Sequence, residues 1–137
     1  TIHDDTRVFT RSGFTYETFQ KSLFALHAFS IKVIVHLILG LPHETREMMS
    51  ASVQAIANLP VWGIKLQLLH VLSGTDLAAY YEKTHFPVFS MDEYCEMIID
   101  CLELLPPEMV IHRITGDGPK DLLIAPMWST GKRTVLN

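Results

Sequence analysis

One apolar, β-branched run constrains the fold of this chain more than any other feature. Residues 31–39 (IKVIVHLIL) are apolar at nearly every position, and Gly-Leu-Pro at 40–42 ends the run. A run of this length and composition predicts a β-strand. Because almost no position is polar, we expect a strand buried on both faces, as in a parallel sheet covered by helices.

Strand-like runs alternate with segments of helical periodicity along the whole chain. The predicted helices cover residues 15–29, 44–58, 76–82 and 90–105, and two further strands cover 63–71 and 109–115. Thr15 is the expected N-cap of the first helix, and Ser90 with Glu93 has the spacing of a capping box. The alternation implies right-handed crossovers and a parallel sheet, so the fold class is α/β. Three strands suit one side of a (β/α) barrel, or of a larger open sheet, better than a free-standing sheet.

Composition and charge exclude several classes of protein. The 137 residues are expected to form a single domain, and the apolar fraction of 48% excludes disorder. A net charge of −4 without a dense basic run argues against nucleic-acid binding, and no stretch is long and apolar enough to span a membrane. Two cysteines, Cys95 and Cys101, are predicted to be buried thiols, which suits a reducing cytoplasm. Because the chain has neither an initiator Met nor a signal peptide, we expect it to be a fragment.

The carboxyl ends of the predicted strands carry the groups that could do chemistry. Residues 40–44, 70–74 and 112–119 each combine glycine with a side chain able to bind a polar ligand, and sites in such folds gather at these ends. Lys65 and Gln67 share one strand face, pointing at a ligand inside a barrel or at solvent outside one. Arg113 is either ligand-facing or part of a surface ion pair.

Other catalytic signatures are weak or absent. His36, His70 and His112 lie in or at the ends of the three strands, so a divalent-metal site is one interpretation. No H-x-H, H-E-x-x-H or H-x-x-x-H spacing occurs, which favours three core histidines and no metal ligand. The chain also lacks a G-x-S-x-G motif, a P-loop and a G-x-G-x-x-G motif.

Four stretches resemble one family. Residues 35–45 (VHLILGLPHET) are similar to the fifth-strand segment of radical S-adenosylmethionine (SAM) enzymes, usually Gly-Leu-Pro-Gly-Glu-Thr. Residues 63–75 (GIKLQLLHVLSGT) resemble the sixth strand of an uncharacterised branch. That branch lies near the oxygen-independent coproporphyrinogen oxidase-like and Elongator-catalytic-subunit-like Fe-S oxidoreductases. Residues 104–118 (LLPPEMVIHRITGDG) and 123–128 (LIAPMW) resemble the C-terminal signature of that branch. Residues 2–6 (IHDDT) are similar to the segment that follows its fourth strand.

The resemblance implies a partial barrel and a set of contacts. The chain would be the C-terminal half of a radical SAM core with a C-terminal extension, and SAM would lie across the strand ends. The implied cofactor-binding residues are Ile38, Gly40, Leu41, Pro42 and Glu44, and the substrate-facing candidates are Lys65, Gln67, His70 and Arg113. The family's C-x3-C-x2-C cluster loop is not in this chain, so no metal ligand is expected.

The resemblance also implies an activity and partners. The parent would be an oxidoreductase in which a [4Fe–4S] cluster cleaves SAM reductively, and the resulting 5′-deoxyadenosyl radical abstracts a substrate hydrogen. The chain alone would be inactive and would hold neither cofactor tightly. Its partner would be the missing N-terminal half, and as a fragment it is expected to form a homo-oligomer. A non-catalytic α/β docking module and a divalent-metal barrel hydrolase remain alternatives.

Two departures from the family pattern bear on the contacts. His43 stands where the family has glycine, and Ser12-Gly13-Phe14 replaces the usual Arg-Gly-His. Both changes affect residues expected near the strand ends.

Overall fold

The strands and helices alternate as the sequence predicts. The computed structural model describes residues 1–116 and 118–131. The elements in chain order are α1 (Asp4–Phe9), α2 (Tyr16–Ala28), β1 (Ile34–Leu39), α3 (Arg46–Ala57), β2 (Gly63–Leu68), β3 (Val71–Leu72), α4 (Asp76–Thr84), α5 (Met91–Leu104), β4 (Val110–Arg113), β5 (Leu123–Ala125) and a short 3₁₀ helix (Met127–Thr130).

A parallel sheet of three strands forms the centre of the fold. Its order is β1-β2-β4, and both pairs are parallel, which confirms the prediction from the alternation. The β1–β2 register runs from Ile34 opposite Gly63 to Leu39 opposite Leu68. A register shift between Ile64 and Lys65 interrupts the β2–β4 pair. The three carboxyl ends therefore meet at one edge of the sheet.

Hydroxyl side chains start four of the helices. The Thr15 and Ser90 caps that the sequence predicts are both confirmed, and Glu93 closes the capping box by accepting the Ser90 N–H at 2.8 Å. Thr45 and Thr75 cap α3 and α4 in the same way. Because Thr45 is the cap, α3 begins at Arg46, two residues after the predicted start at 44.

Helices α3 and α5 cover one face of the sheet and form the core with it. Arg46 of α3 bonds Asp100 of α5 at 2.6 Å and Glu96 at 3.3 Å, which ties the two helices together at their solvent side. The largest side chains with almost no exposure lie between these helices and the sheet. They include Leu39, Ile64, Leu66, Val53, Tyr94, Met97 and Cys101.

The expectation that the first strand is buried on both faces is wrong. In β1, Val35, Leu37 and Leu39 are buried, whereas His36 and Ile38 are exposed. The α3–α5 layer reaches one side of the sheet only, and no described residue forms a second layer on the other. The apolar residue Ile38 therefore lies on an open face. The apolar composition of residues 31–39 had predicted that it would be buried.

Three elements near the chain ends were not predicted: α1, β5 and the 3₁₀ helix at Met127–Thr130. Helix α1 precedes α2, and β5 pairs antiparallel with β3 in a second, two-stranded sheet. The predicted strand 63–71 is divided because β2 ends at Leu68, while Val71 turns to pair with Ala125. Asp117, in the strand-end stretch 112–119, lies outside the described residues.

The exposed half of α2 also differs from the expectation. The sequence places Phe19, Leu23, Leu26 and Phe29 on one apolar stripe, but only Phe19 and Leu23 pack inward. Phe29 is 81% exposed. Leu26 is 40% exposed as well, so the carboxyl-terminal half of α2 and its C-cap Phe29 are not covered by the described part of the chain.

Candidate functional site

The open face of the sheet brings together side chains from two strands. His36 stands opposite Lys65, and Ile38 stands opposite Gln67. All four lie on the side away from α3 and α5, because their neighbours along each strand are the buried residues of the core. Lys65 and Gln67 therefore share a face, as predicted. Both are half-buried, so each keeps part of its surface accessible to a ligand.

The third strand extends this row. Arg113 of β4 stands opposite Lys65 in the β2–β4 register. The His36, Lys65 and Arg113 positions thus run across the sheet from strand to strand. Two cationic side chains and an imidazole at adjacent positions form a surface suited to an anionic or hydrogen-bond-accepting group.

His70 takes a different place from the other substrate-facing candidates. It follows the end of β2, and its ring packs against two glycines beyond β4. A Cβ at Gly116 would lie 2.7 Å from Nε2 of His70, and one at Gly118 would lie 2.7 Å from Nδ1. Side chains at either position would displace the imidazole, so the glycines of this turn are required by the packing of His70.

Four of the five predicted cofactor-binding residues line a single cleft at the end of β1. Gly40, Leu41, Pro42 and Glu44 form one wall of a cleft of about 630 Å³, and α4 with residues 86–89 forms the opposite wall. Ile38 does not line this cleft and lies on the open face. The loop after β1 therefore separates the open face from the cleft.

Gly40 must be glycine for two reasons. Its φ of +87° lies in the left-handed region that side chains disfavour. A Cβ would also lie 3.1 Å from the ring of Phe89, which packs directly on this turn. The Gly40 N–H donates to the sulfur of Met49 at 3.2 Å, so both sides of the turn are in contact with the protein.

His43 occupies a glycine-like backbone position. Its φ is +68°, which explains why glycine is usual there in the family it resembles. Nε2 of His43 lies 3.0 Å from the Tyr80 hydroxyl, and the Phe9 ring meets the imidazole edge-on at 5.1 Å. These contacts hold the imidazole at the rim of the cleft. Phe9 belongs to α1, which the sequence did not predict.

The second departure from the family pattern, at residues 12–14, lies in the loop between α1 and α2. Phe14 is half-exposed, and the guanidinium of Arg7 lies over its ring at 4.9 Å. Burial lowers the pKa of Arg7, and the nearby Asp4 carboxylate opposes that shift. Phe14 thus pairs with a cation from its own segment.

Glu44 has an unusual environment within the loop. Its Oε1 atom is buried and has no hydrogen-bond partner among the described residues. An unsatisfied buried acceptor costs about 1–3 kcal/mol. A donor from a ligand, or from a segment outside residues 1–116 and 118–131, would remove that cost.

The described residues hold no metal centre. No group of three His, Cys, Asp or Glu side chains within 1–116 and 118–131 lies close enough to bind an ion. His36 lies on the open face, His70 packs on glycines, and His112 lies beside the Trp62 ring at 5.3 Å. These three histidines, on which the alternative of a metal hydrolase rested, therefore do not lie together.

The two thiols differ from each other. Cys101 is fully buried, as predicted, and Cys95 is half-buried. Burial, and to a lesser degree the Asp100 carboxylate, raises the pKa of the Cys101 thiol to about 12. Cys101 is therefore protonated and inert near neutral pH.

Sequence reasoning missed the wall of the cleft opposite the loop. Tyr80 and Phe89 carry no local motif, and both are about 40 residues or more from their contacts in the loop. The one local signal was Pro87 between two predicted helices, which marked a loop but not its packing.

The described residues form a parallel α/β fold with candidate surfaces on its open face and at its strand ends. Residues 61–137, more than half of the chain, match the Radical_SAM C-terminal domain. The chain therefore belongs to the Radical_SAM C-terminal domain family. No helix among the described residues is long and apolar enough to cross a membrane.

Several curated proteins that are longer than this chain match nearly all of it. It is 43% identical over 136 residues to the uncharacterized protein YtqA of Bacillus subtilis, covering 99% of this chain and 42% of that protein. It is 28% identical over 134 residues to protein YhcC of Escherichia coli K12, covering 98% of this chain and 43% of that protein. The chain thus spans about two fifths of the curated relatives it matches.

A solved structure shares the fold. The Elp3 protein of the archaeon Methanocaldococcus infernus superposes with a TM-score of 0.80 at 22% identity, covering 90% of this chain and 30% of that one. At this identity the likeness concerns the fold, which confirms the predicted α/β class and the partial barrel.

Proposed function

We propose that this chain supplies part of the SAM-binding and substrate-binding surface of a radical SAM oxidoreductase. The observation that supports this best is the meeting of three parallel strand ends beside Gly40. There the backbone has a glycine-only conformation and is packed in place by Phe89. In folds of this kind ligands bind at the carboxyl ends of the strands, and the packing of Phe89 holds this turn in one position there.

The proposal assigns roles to the two surfaces. The backbone around Ile38 and Gly40, together with Leu41 and Pro42, contacts the cofactor. Glu44 offers its unsatisfied carboxylate oxygen to a donor. On the open face, the side chains of Lys65, Gln67 and Arg113 orient the substrate. His70, which packs on Gly116 and Gly118, borders the substrate from beyond the end of β2. The positions of Lys65, Gln67 and Arg113 in the sheet, and of residues 40–44 at the end of β1, support this assignment.

SAM, once bound and reductively cleaved, supplies a 5′-deoxyadenosyl radical that abstracts a hydrogen atom from the substrate. A [4Fe–4S] cluster does not fit the described residues, because the chain has only two cysteines, both on α5, and Cys101 is buried and protonated. We therefore propose that the cluster ligands lie in another part of the parent protein. We also propose that the parent protein is in a reducing cytoplasm.

The free edge of β1 is the proposed docking site for that other part. β1 pairs with β2 on one side only, and no described strand pairs with its other edge. A hollow of about 230 Å³ runs along this edge at residues 33–37, with Arg7, Phe14 and Phe19 around it. An unpaired edge beside a hollow suits an added parallel strand. We propose that a strand from the N-terminal half of the parent fills this place.

Two glycines give a matched test of the cofactor role. In a chain extended to carry the three-cysteine loop and reconstituted anaerobically with iron and sulfide, SAM affinity is measured by calorimetry. Gly40→Ala introduces a Cβ against Phe89, and Gly74→Ala introduces one at a similar φ of +78° with nothing within 4 Å. We expect Gly40→Ala to weaken binding by about tenfold or more and Gly74→Ala to leave it within about twofold.

Two results would contradict the proposal. One is an extended, reconstituted chain that does not bind SAM. The other is an equal loss of affinity in both glycine variants, since that would trace the effect to backbone strain alone.

A further inference from the structure

The segment after β5 reaches back to the centre of the fold. β5 pairs with β3, and the Ser73 N–H donates to the Leu122 carbonyl at 2.7 Å. These contacts place the short 3₁₀ helix that carries Trp128 over the amino end of α5. The indole N–H of Trp128 then donates to the Phe89 carbonyl at 2.7 Å. This bond joins residues 39 positions apart in the chain.

Aromatic contacts reinforce that bond. The Tyr94 ring lies 5.7 Å from the Trp128 ring and 5.8 Å from the Phe89 ring. Tyr94 is itself fully buried and donates to the Ile114 carbonyl at 2.9 Å. Tyr94 is held by its place in α5 and by its bond to Ile114, the residue after β4, so it supports the other two rings.

Phe89 transmits this arrangement to the strand end. Its ring packs on Gly40 so closely that a single added carbon would lie 3.1 Å from it. The opposite side of Gly40 is held by the N–H bond to Met49 of α3. The position of Phe89 therefore limits where the Gly40 turn can lie.

We propose that Trp128 is a positioning residue for the loop after β1, acting through Phe89. The C-terminal segment thereby sets the geometry of the Gly40 turn, to which the proposed function assigns cofactor contact. The role of this coupling in cofactor binding rests on the proposed function, but the coupling between Trp128 and Gly40 is a property of this chain. It can therefore be measured without any cofactor.

Amide hydrogen exchange, followed residue by residue by NMR, tests the coupling. Trp128→Phe keeps an aromatic ring but removes the N–H that bonds the Phe89 carbonyl. We expect the Gly40 amide to exchange about tenfold faster in this variant, while the amides of Leu37 and Leu66 in the central strands keep their rates. Trp62→Phe is the matched control, since Trp62 lies at the opposite end of the strands beside Lys32 and His112. It should leave the Gly40 rate unchanged.

A second variant covers the case in which Trp128→Phe does not fold. Phe89→Leu keeps the carbonyl that Trp128 bonds and removes the ring from Gly40, so it should loosen Gly40 in the same way. An unchanged Gly40 rate in the folded variants would overturn the inference. So would an equal rise at Leu37 and Leu66, because that indicates global destabilisation. If the coupling is found but the extended chain does not bind SAM, the proposed function fails and the positioning role stands.

Discussion

The imidazole of His43 and the phenol of Tyr80 meet across the mouth of the cleft, with 3.0 Å between Nε2 and the hydroxyl oxygen. This contact joins the loop after β1 to α4. It also explains how a histidine is kept at a φ of +68°, which disfavours every residue with a Cβ by roughly 1 kcal/mol.

Substitutions at His43 separate backbone strain from side-chain contact. His43→Ala keeps the strain and loses the contacts with Tyr80 and Phe9, so we expect a loss of about 1 kcal/mol in the free energy of unfolding. His43→Gly loses the same contacts but relieves the strain, so we expect it to stay within about 0.5 kcal/mol of wild type. Urea denaturation measures both.

Tyr80→Phe provides the control for the hydrogen bond. It should destabilise the wild type by about 0.5–1 kcal/mol and have almost no effect in the His43→Ala background. Equal stability of His43→Ala and His43→Gly would contradict the strain argument.

The capping box of α5 should make the free energy of unfolding depend on pH, in a direction that the pKa of Glu93 determines. The Ser90 backbone N–H, and then its hydroxyl, hold the pKa of Glu93 below the ordinary value of 4.5. A lowered pKa stabilises the fold above the unfolded-state pKa, and that stabilisation is lost as pH falls through the folded-state pKa. We therefore expect wild type to be more stable than Glu93→Gln at pH 7, and the difference to shrink below about pH 4.5.

Glu103→Gln is the control for this profile, because Glu103 lies near the other end of α5 and is not part of the capping box. Its stability difference from wild type should not follow the same curve. A wild-type advantage over Glu93→Gln that grows as the pH falls would reverse the sign and contradict the capping role.

The two thiols should react at different rates. Cys101 is fully buried, with a pKa raised to about 12, whereas Cys95 is half-buried. We expect iodoacetamide at pH 8 to modify Cys95 at least about tenfold faster than Cys101 in the native state, and both equally in urea. Peptide mass spectrometry reads the two sites separately. Comparable native rates would show that α5 opens readily.

The exposed side of β1 should cause self-association of the chain by itself. Ile38 is 39% exposed on the open face, beside the edge of β1 that pairs with no strand among the described residues. We expect light scattering at micromolar concentration to detect a dimer, and Ile38→Lys to weaken it by about tenfold. Ile99→Lys, at a 56% exposed position on α5, is the matched control and should have little effect. A wild-type chain that is monomeric at every concentration would contradict the expectation.

The positions of most elements could be predicted because their signals are local. The Ser90–Glu93 box spans four residues, and the β-branched composition of 31–39 is contained in the strand itself. The parallel sheet followed from the order of these elements. Helix α1 was missed because its six residues carry no side-chain cap and no apolar stripe.

Local signals in the sequence were enough to predict β1, β2 and β4 and the caps of α2 and α5, because propensity and capping act over a few neighbouring residues. Tertiary packing alone settles which face of β1 is covered, since that depends on how far α3 and α5 reach over the sheet. It also decided that Phe89 packs on Gly40, that Tyr80 bonds His43 and that Trp128 holds Phe89. Those contacts join residues 37 or more positions apart. No local pattern encodes them, because each forms only once several separate elements have packed together.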